Sequence, residues 1–351
     1  MAKRLKIVAD ANIPFLKGVF EPYADVVYLP GGSIGAQVCK DADVLIVRTR
    51  TKCNAGLLSS SKVSFVATAT IGTDHLDTRW LDSAGIGYAN APGCNAVGVM
   101  QYVLTSVALL LQRSGKSPVG LTLGVIGAGN TGERVARGAS ILGFNVMRND
   151  PPKAAYRSDV PYFSLEEVLG ECDVVSCHLP LDDSTYSLAS DGFFSMMKRG
   201  AIFVNASRGE VVDEVALKRH RNYLGGLILD VWRNEPDIDR ELLESADIAT
   251  PHIAGYSFEG KVNGSVACIR AVARRFGIRE LYGHTPEVDA PAGIDLALPF
   301  GELTRRMLEV FPVHKLSEEL KNSPESFEKM RNDYDYRHEF AVPDTIRTIE
   351  Y

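Results

Sequence analysis

Short apolar runs rich in β-branched residues alternate with helical patterns along most of the chain. Eleven such runs occur in order: LKIVAD, DVVYL, DVLIVR, VSFVATA, GIGYAN, LTLGVIG, FNVMRND, DVVSCHL, AIFVNAS, GLILDV and DIATP. Continuous apolar strands separated by helices are typical of doubly wound parallel sheets, because helices cover both faces of such a sheet. Eleven strands are too many for one sheet, so the pattern predicts an α/β protein with two parallel-sheet lobes.

The longest apolar stretch, NAVGVMQYVLTSVALLLQR at residues 95–113, predicts a helix that is buried on most of its faces. Asn95 is a candidate N-cap for this helix. A second helix is predicted near residues 258–276, where it carries the chain back and makes the first lobe discontinuous. Beyond about residue 281, charged segments dotted with aromatic residues, such as SFEKMRNDYDYRHEF, predict a small separate module. A simple surface extension is the alternative.

Composition narrows the classes of function. The 351 residues are 45% hydrophobic and carry a formal net charge of -6, which gives no support to binding of nucleic acid. The six cysteines include no C-x-x-C pair, and the closest approach to a ligand cluster, Cys172 with Cys177 and His178, lies along an apolar strand. We therefore expect reduced thiols and no metal. The chain opens MAKRLKIVADAN without an apolar signal region, which predicts a cytoplasmic protein without a membrane partner.

A glycine motif follows the sixth apolar run. Gly127, Gly129 and Gly132 form a G-x-G-x-x-G frame between a predicted strand and a predicted helix. In this frame the first glycine makes the turn, the second lets the backbone approach a pyrophosphate, and the third lets the helix pack on the strand. Asp150 ends the next strand, where a carboxylate accepts from ribose hydroxyls and repels a 2′-phosphate. The motif predicts NAD rather than NADP, although Arg148 weakens the preference.

Three later segments, NASRGEVVD, LDVWRNEP and TPHIAGY, each follow a predicted strand. Because ligands bind at the carboxyl edge of an open α/β sheet, we expect Arg208, Glu235 and His252 to converge there. Each residue alone has an ordinary explanation, as a surface arginine, a helix cap and a packed histidine. Together they suit oxidation of a 2-hydroxy acid, with His252 as the base, Glu235 fixing its tautomer and Arg208 clamping the substrate carboxylate.

In their order along the chain, GAGNTG, NASRG, LDVW with Glu235, and PHIAG resemble the motifs of the D-isomer-specific 2-hydroxyacid dehydrogenases. A further set resembles the members of that family that oxidise 4-phospho-D-erythronate in vitamin B6 biosynthesis: VADANIPF, VRTRTKCN, FVATATIGTDHLD, NAPGCNA, NDPP, PHIAGYSFEGK and FEKMRNDYDYRHEF. The resemblance implies a flavodoxin-like substrate-binding lobe at 1–95 with 255–280, a Rossmann NAD-binding domain at 96–254, and a small C-terminal α+β dimerisation module at 281–351. It also implies a homodimer.

The resemblance assigns roles to individual residues. Arg208, Glu235 and His252 would be the active-site residues, with His252 as the acid/base. The NAD site would include, besides the three glycines, Asn130, Thr131, Asp150, Leu179, Ala206, Ser207, Asp230 and Gly255. The small phosphorylated substrate would contact Thr49, Thr70 and Tyr256. Arg48 lies beside Thr49 and could hold the phosphate together with Arg50 and Lys52, although a solvated basic edge explains the latter two equally well.

Two other functions stay open from the sequence. The same chemistry could act on another 2-hydroxy acid, such as 3-phosphoglycerate or glycerate. Alternatively, the fold and its NAD site could serve a sensing protein that binds the dinucleotide without turnover. The complete set of Arg208, Glu235 and His252 argues against the sensor.

Overall fold

The computed structural model describes residues 4–288, 293–294, 298–341 and 343. Within them the chain divides into two compact units, residues 4–95 with 258–288, and residues 96–257 with the described part of 291–351. The module predicted at 281–351 is thus grouped mainly with the second unit, and its residues 289–292, 295–297, 342 and 344–351 lie outside the described residues. The division into three functional domains stays a prediction.

The first unit is built on a parallel sheet with the strand order β2-β1-β3-β4-β5. Its strands are β1 (Leu5–Asp10), β2 (Ala24–Leu29), β3 (Val44–Val47), β4 (Phe65–Thr68) and β5 (Gly87–Ala89), and its helices are α1 (Ala36–Cys39), α2 (Ala55–Leu58), α3 (Thr78–Ser83) and α11 (Phe258–Phe276). Alternate strand residues enter different cores, because successive side chains point to opposite faces. Ile46 packs with Ile269 of α11, whereas Leu45 packs with Leu81 of α3.

The second unit is built on a larger parallel sheet with the order β11-β10-β9-β8-β6-β7. Its strands are β6 (Thr122–Ile126), β7 (Asn145–Asn149), β8 (Val174–Cys177), β9 (Ile202–Asn205), β10 (Gly226–Leu229) and β11 (Ile248–Ala249). Its helices are α4 (Ala96–Arg113), α5 (Asn130–Ile141), α6 (Pro151–Ala154), α7 (Leu165–Glu171), α8 (Asp191–Met196), α9 (Glu214–His220), α10 (Arg240–Ser245), α12 (Phe300–Val310), α13 (Val313–Asn322) and α14 (Phe327–Asn332).

Helix α4 belongs to the core of the second unit. It is the one helix in the described part of the chain that is long and apolar enough to cross a membrane, but 78% of it is buried inside the protein, as expected for a core helix. Gly138 of α5 permits its close approach, since a Cβ there would lie 2.7 Å from side-chain atoms of Leu104 and Met100. The capping prediction is wrong, because Oδ1 of Asn95 is buried and accepts no hydrogen bond from the described residues.

The predicted α/β architecture is confirmed. Each of the eleven apolar runs overlaps one strand of the described chain, and the helix predicted near 258–276 is α11. In both sheets the strand order reverses beside the first strand. The reversal lies between β1 and β3 in the first unit and between β6 and β8 in the second. In open α/β sheets, ligands bind at the carboxyl ends of the strands next to this reversal.

Candidate active site

The glycine loop after β6 has the geometry of an anion-binding turn. Gly127 adopts φ +86°, donates its N–H to the Asn149 carbonyl at 2.8 Å, and would place a Cβ 2.6 Å from the His178 carbonyl oxygen. A Cβ at Gly132 would overlap the Gly127 carbonyl oxygen. At Gly129, by contrast, a Cβ would meet no atom of the described residues within 4 Å. The space beside Gly129 and the N-terminus of α5 therefore fits a pyrophosphate.

Asp150 ties this loop to the end of β7. Its carboxylate accepts hydrogen bonds from the Ala128 N–H at 2.9 Å and from the Lys153 N–H at 3.0 Å, which caps α6. The Lys153 ammonium in turn donates to the Ala128 carbonyl at 2.7 Å. The carboxylate thus lies at the edge of the glycine loop, where ribose hydroxyls are expected.

Arg148, whose charge weakens the predicted preference for NAD, is held in an ion pair. Its Nε donates to Glu133 Oε2 at 2.9 Å, and Arg137 donates to Oε1 of the same carboxylate at 3.0 Å. Burial opposes ionisation of Glu133, but the two guanidinium groups outweigh it, and the pKa of Glu133 lies below its ordinary value. Because Arg148 is held by Glu133, contact with a 2′-phosphate would require this ion pair to break.

His252 and Glu235 form a hydrogen-bonded pair. Nδ1 of His252 lies 2.8 Å from Oε2 of Glu235, while the Trp232 N–H donates to Oε1 at 3.1 Å. Burial opposes the charge on Glu235, yet the His252 ring, the Trp232 N–H and Arg331 outweigh it and lower the pKa of Glu235. A carboxylate accepts only, so Nδ1 carries the proton and Nε2 is the atom available for proton exchange.

The backbone around His252 is held from beneath by Asp230, at the end of β10. His252 adopts φ +57°, a left-handed conformation that is uncommon for a residue with a side chain. Its N–H donates to the Asp230 carbonyl at 2.7 Å, and the Asp230 carboxylate accepts from the N–H groups of Ile253 at 2.8 Å and Ala254 at 2.9 Å. Burial raises the pKa of Asp230, so its ionised form depends on these donors.

Arg208 lies at the end of β9, the strand next to β10. The buried Asn205 side chain shapes its turn, since Nδ2 donates to the Arg208 carbonyl at 2.9 Å and Oδ1 accepts from the Ser207 hydroxyl at 2.7 Å. The next residue, Gly209, packs on the loop that leads to Glu235, because a Cβ there would overlap the Trp232 carbonyl group. The turns that carry Arg208 and Glu235 are therefore in backbone contact.

The other residues predicted to contact NAD follow strands of the same sheet. Asn130 and Thr131 open α5 after β6, Leu179 follows β8, Ala206 and Ser207 follow β9, Asp230 follows β10, and Gly255 follows β11. The parallel order of the sheet brings these positions, with Arg208, Glu235 and His252, to one edge. Their individual contacts with NAD stay predictions.

Three predicted substrate residues lie in the first unit. Arg48 and Thr49 follow β3, and the Arg48 guanidinium donates to the Asn12 carbonyl at 3.2 Å, across the reversal between β1 and β3. Thr70 follows β4, donates its hydroxyl to the Gly72 carbonyl at 2.9 Å, and lies 2.8 Å from the Thr68 hydroxyl oxygen. The fourth substrate residue, Tyr256, belongs to the second unit. Contact of all four with one substrate stays a prediction.

The C-terminal segment adds side chains whose positions the sequence pattern does not predict. Arg337 is 7% exposed and donates to the carbonyl groups of Ile253 at 3.2 Å, Ala254 at 2.5 Å and Tyr256 at 2.9 Å. Arg331 donates to the Tyr256 hydroxyl oxygen at 3.3 Å. The close spacing of arginine and tyrosine in MRNDYDYR is a signal of polar packing, but nothing in it names the loop that it contacts.

In the part of the chain that the structure describes, no side chains are arranged to bind a metal ion. Cys172 and Cys177 are buried in the core of the second unit, and no group of three or more His, Cys, Asp or Glu side chains among the described residues is placed to hold an ion.

Substitution of two of the glycines should separate folding from dinucleotide binding. Gly132→Ala should destabilise the second unit by about 1–3 kcal/mol, because the new methyl group overlaps backbone. Gly129→Ala should leave thermal stability unchanged and weaken NADH binding roughly ten- to hundredfold, by blocking a hydrogen bond to a charged pyrophosphate. Thermal melting and NADH fluorescence titration measure the two effects. Wild-type NADH affinity in Gly129→Ala would remove this loop from the site.

Comparison with known proteins agrees with this geometry. Residues 108–254 match the model of the D-isomer specific 2-hydroxyacid dehydrogenase, NAD binding domain. The erythronate-4-phosphate dehydrogenase of Bacteroides thetaiotaomicron is 41% identical over 342 residues, covering 95% of this chain and 97% of that protein. The corresponding protein of Ectopseudomonas mendocina is 45% identical over 278 residues, covering 79% of this chain and 74% of that protein.

Solved structures extend the comparison to the fold. The NAD+-bound 3-phosphoglycerate dehydrogenase of Entamoeba histolytica matches with a TM-score of 0.67 at 25% identity, covering 82% of this chain and 100% of that one. The predicted resemblance, fold class and cofactor are confirmed by these matches. The chain therefore belongs to the D-isomer specific 2-hydroxyacid dehydrogenase family and is an NAD-dependent dehydrogenase.

Proposed function

We propose that this protein oxidises 4-phospho-D-erythronate to 3-hydroxy-2-oxo-4-phosphooxybutanoate in pyridoxal phosphate biosynthesis. The names of the relatives from Bacteroides thetaiotaomicron and Ectopseudomonas mendocina support this choice of substrate. The chemistry rests on one observation, the 2.8 Å hydrogen bond between Glu235 and His252 at the sheet edge that also carries the glycine loop.

NAD would be held by the glycine loop and Asp150, and when bound it accepts the hydride that leaves C2 of the substrate. His252 takes the hydroxyl proton at Nε2 as the C2 carbonyl forms, and Glu235 stabilises the resulting imidazolium through Nδ1. Arg208 binds the substrate carboxylate with two parallel N–H groups and polarises the C2 oxygen. Thr49, Thr70 and Tyr256 contribute hydroxyl groups to the substrate, and Arg48 supplies positive charge for its phosphate.

Removal of the imidazole should stop turnover without affecting the dinucleotide. His252→Ala should lower kcat by about 10²–10⁴, because the hydroxyl proton then has no acceptor, and NADH affinity should be unchanged. His220→Ala is the matched control, since that histidine lies at the end of α9 and pairs with Asp191. Steady-state kinetics and NADH titration provide the comparison. Near-normal turnover of His252→Ala would exclude His252 as the acid/base.

Exchange of Arg208 for lysine tests whether the planar guanidinium is needed to bind the substrate carboxylate. Arg208→Lys keeps the charge but loses the paired N–H groups, so kcat/KM should fall by roughly ten- to hundredfold, the equivalent of one hydrogen bond to a charged group. Kinetics with the 2-hydroxy acid and titration with NADH separate the substrate from the cofactor. Equal activity of the lysine variant would show that Arg208 acts only as a point charge.

A substrate panel tests the proposed function directly. The purified protein should show its highest kcat/KM with 4-phospho-D-erythronate, compared with 3-phosphoglycerate and glycerate at the same NAD concentration. A preference for 3-phosphoglycerate would keep the chemistry and replace the substrate. Binding of NADH without turnover of any 2-hydroxy or 2-oxo acid would support the sensing function instead.

We also propose that the protein acts as a homodimer in the cytoplasm. The resemblance of the C-terminal segment to a dimerisation module supports the first point, and six cysteines without a disulfide among them are compatible with the second. Light scattering of the purified full-length protein tests the dimer, and the mass of a single chain would contradict it.

A further inference from the structure

The carboxylate of Glu235 has two nitrogen neighbours, one from the His252 ring and one from the Arg331 guanidinium. Oε2 lies 2.8 Å from Nδ1 of His252 and 3.5 Å from Nη1 of Arg331. Arg331 is on α14, and its Nε also donates to the Tyr256 hydroxyl oxygen at 3.3 Å. The side chains of Glu235 and Arg331 are 17% and 26% exposed, so water screens this interaction only partly.

We propose that Arg331 is a positioning residue that biases the Glu235–His252 pair towards the neutral imidazole needed to oxidise a hydroxy acid. The proposal rests on the proposed function, and deepens it by naming what sets the working pH of the pair. The sequence pattern does not assign a role to Arg331, because α14 lies in the C-terminal segment, far along the chain from the glycine loop and the three active-site turns.

The bias follows because the His252 ring and the Arg331 guanidinium share one oxygen of Glu235. When Nε2 accepts a proton, the imidazolium gains stability from Glu235 and loses some of it to repulsion by the guanidinium. Arg331 therefore favours the neutral ring over the imidazolium. Oxidation begins from the neutral ring and reduction of the 2-oxo acid begins from the protonated ring, so Arg331 extends oxidation to lower pH.

Charged and titratable groups from several elements lie around this ring, in addition to Arg208 after β9. Glu235 faces Nδ1, and Asp230 lies beneath the loop at the end of β10. Arg331 lies beside Glu235, and the Tyr256 hydroxyl lies beside Arg331. The two carboxylates favour the imidazolium and the guanidinium opposes it. Tyr256 also fixes the position of Arg331, and its own ring packs edge-on against Tyr334 and Tyr336 of the same segment.

The test compares Arg331→Gln and Arg331→Met with wild type in both directions of the reaction. Loss of the guanidinium should move the acid limb of hydroxy acid oxidation and the alkaline limb of 2-oxo acid reduction to higher pH, each by roughly 0.5–1 unit. Arg331→Lys keeps the positive charge, so the limbs of its pH–rate profiles should lie close to those of wild type. Lys329→Gln is the matched control, because it removes a positive charge from the same helix at a side chain that is 77% exposed.

A second readout does not depend on turnover. The ring signals of His252 can be followed by NMR in protein labelled at its seven histidines and assigned with His252→Ala. The midpoint of the ring titration should rise in Arg331→Gln and stay unchanged in Lys329→Gln. The proposal is wrong if the rates fall while the limbs of the pH–rate profiles and the midpoint of the ring titration stay in place. Arg331 would then have only a structural role. Absence of turnover in wild type would reject the proposed function, whereas the ring titration would still decide this inference.

Discussion

The carboxylate of Asp230 is buried beneath the loop that carries His252, and it accepts hydrogen bonds from the Thr250 hydroxyl and from two successive N–H groups of that loop. A left-handed conformation such as that of His252 costs about 1–3 kcal/mol, so the surrounding contacts must enforce it. Asp230 does so with both its carbonyl and its carboxylate. The imidazole reaches Glu235 because the end of β10 holds its backbone in this one shape.

The carbonyl groups of the same loop accept hydrogen bonds from a buried arginine, Arg337. Buried backbone groups need partners, and the N–H groups of Ile253 and Ala254 find theirs in Asp230 while the carbonyl groups of both residues accept from Arg337. Arg337 also donates to the Gly98 carbonyl of α4 at 2.8 Å and stacks on the Phe311 ring. The C-terminal segment is therefore part of the structure that presents His252, independent of any role in dimerisation.

Periodicity and spacing predicted the parts of this structure that depend on local pattern. The eleven strands, the buried helix α4 and the convergence of strand ends follow from apolar runs and from the geometry of parallel sheets. Arg331 and Arg337 could not be placed in the same way, because their partners lie more than seventy residues earlier in the chain. The prediction for Asn95 failed in a different way. The helix begins where it was predicted, but the Asn95 side chain does not cap it.

Preference for NAD follows from how the charges near Asp150 are already used. Each oxygen of that carboxylate accepts one backbone N–H, and a carboxylate has about four acceptor positions, so capacity is left for ribose hydroxyls. A 2′-phosphate would need a cation at the same place. Arg148 is held by Glu133, and Lys153 donates to the Ala128 carbonyl. Because recruiting either cation would break an existing interaction, the loop favours the dinucleotide without the extra phosphate.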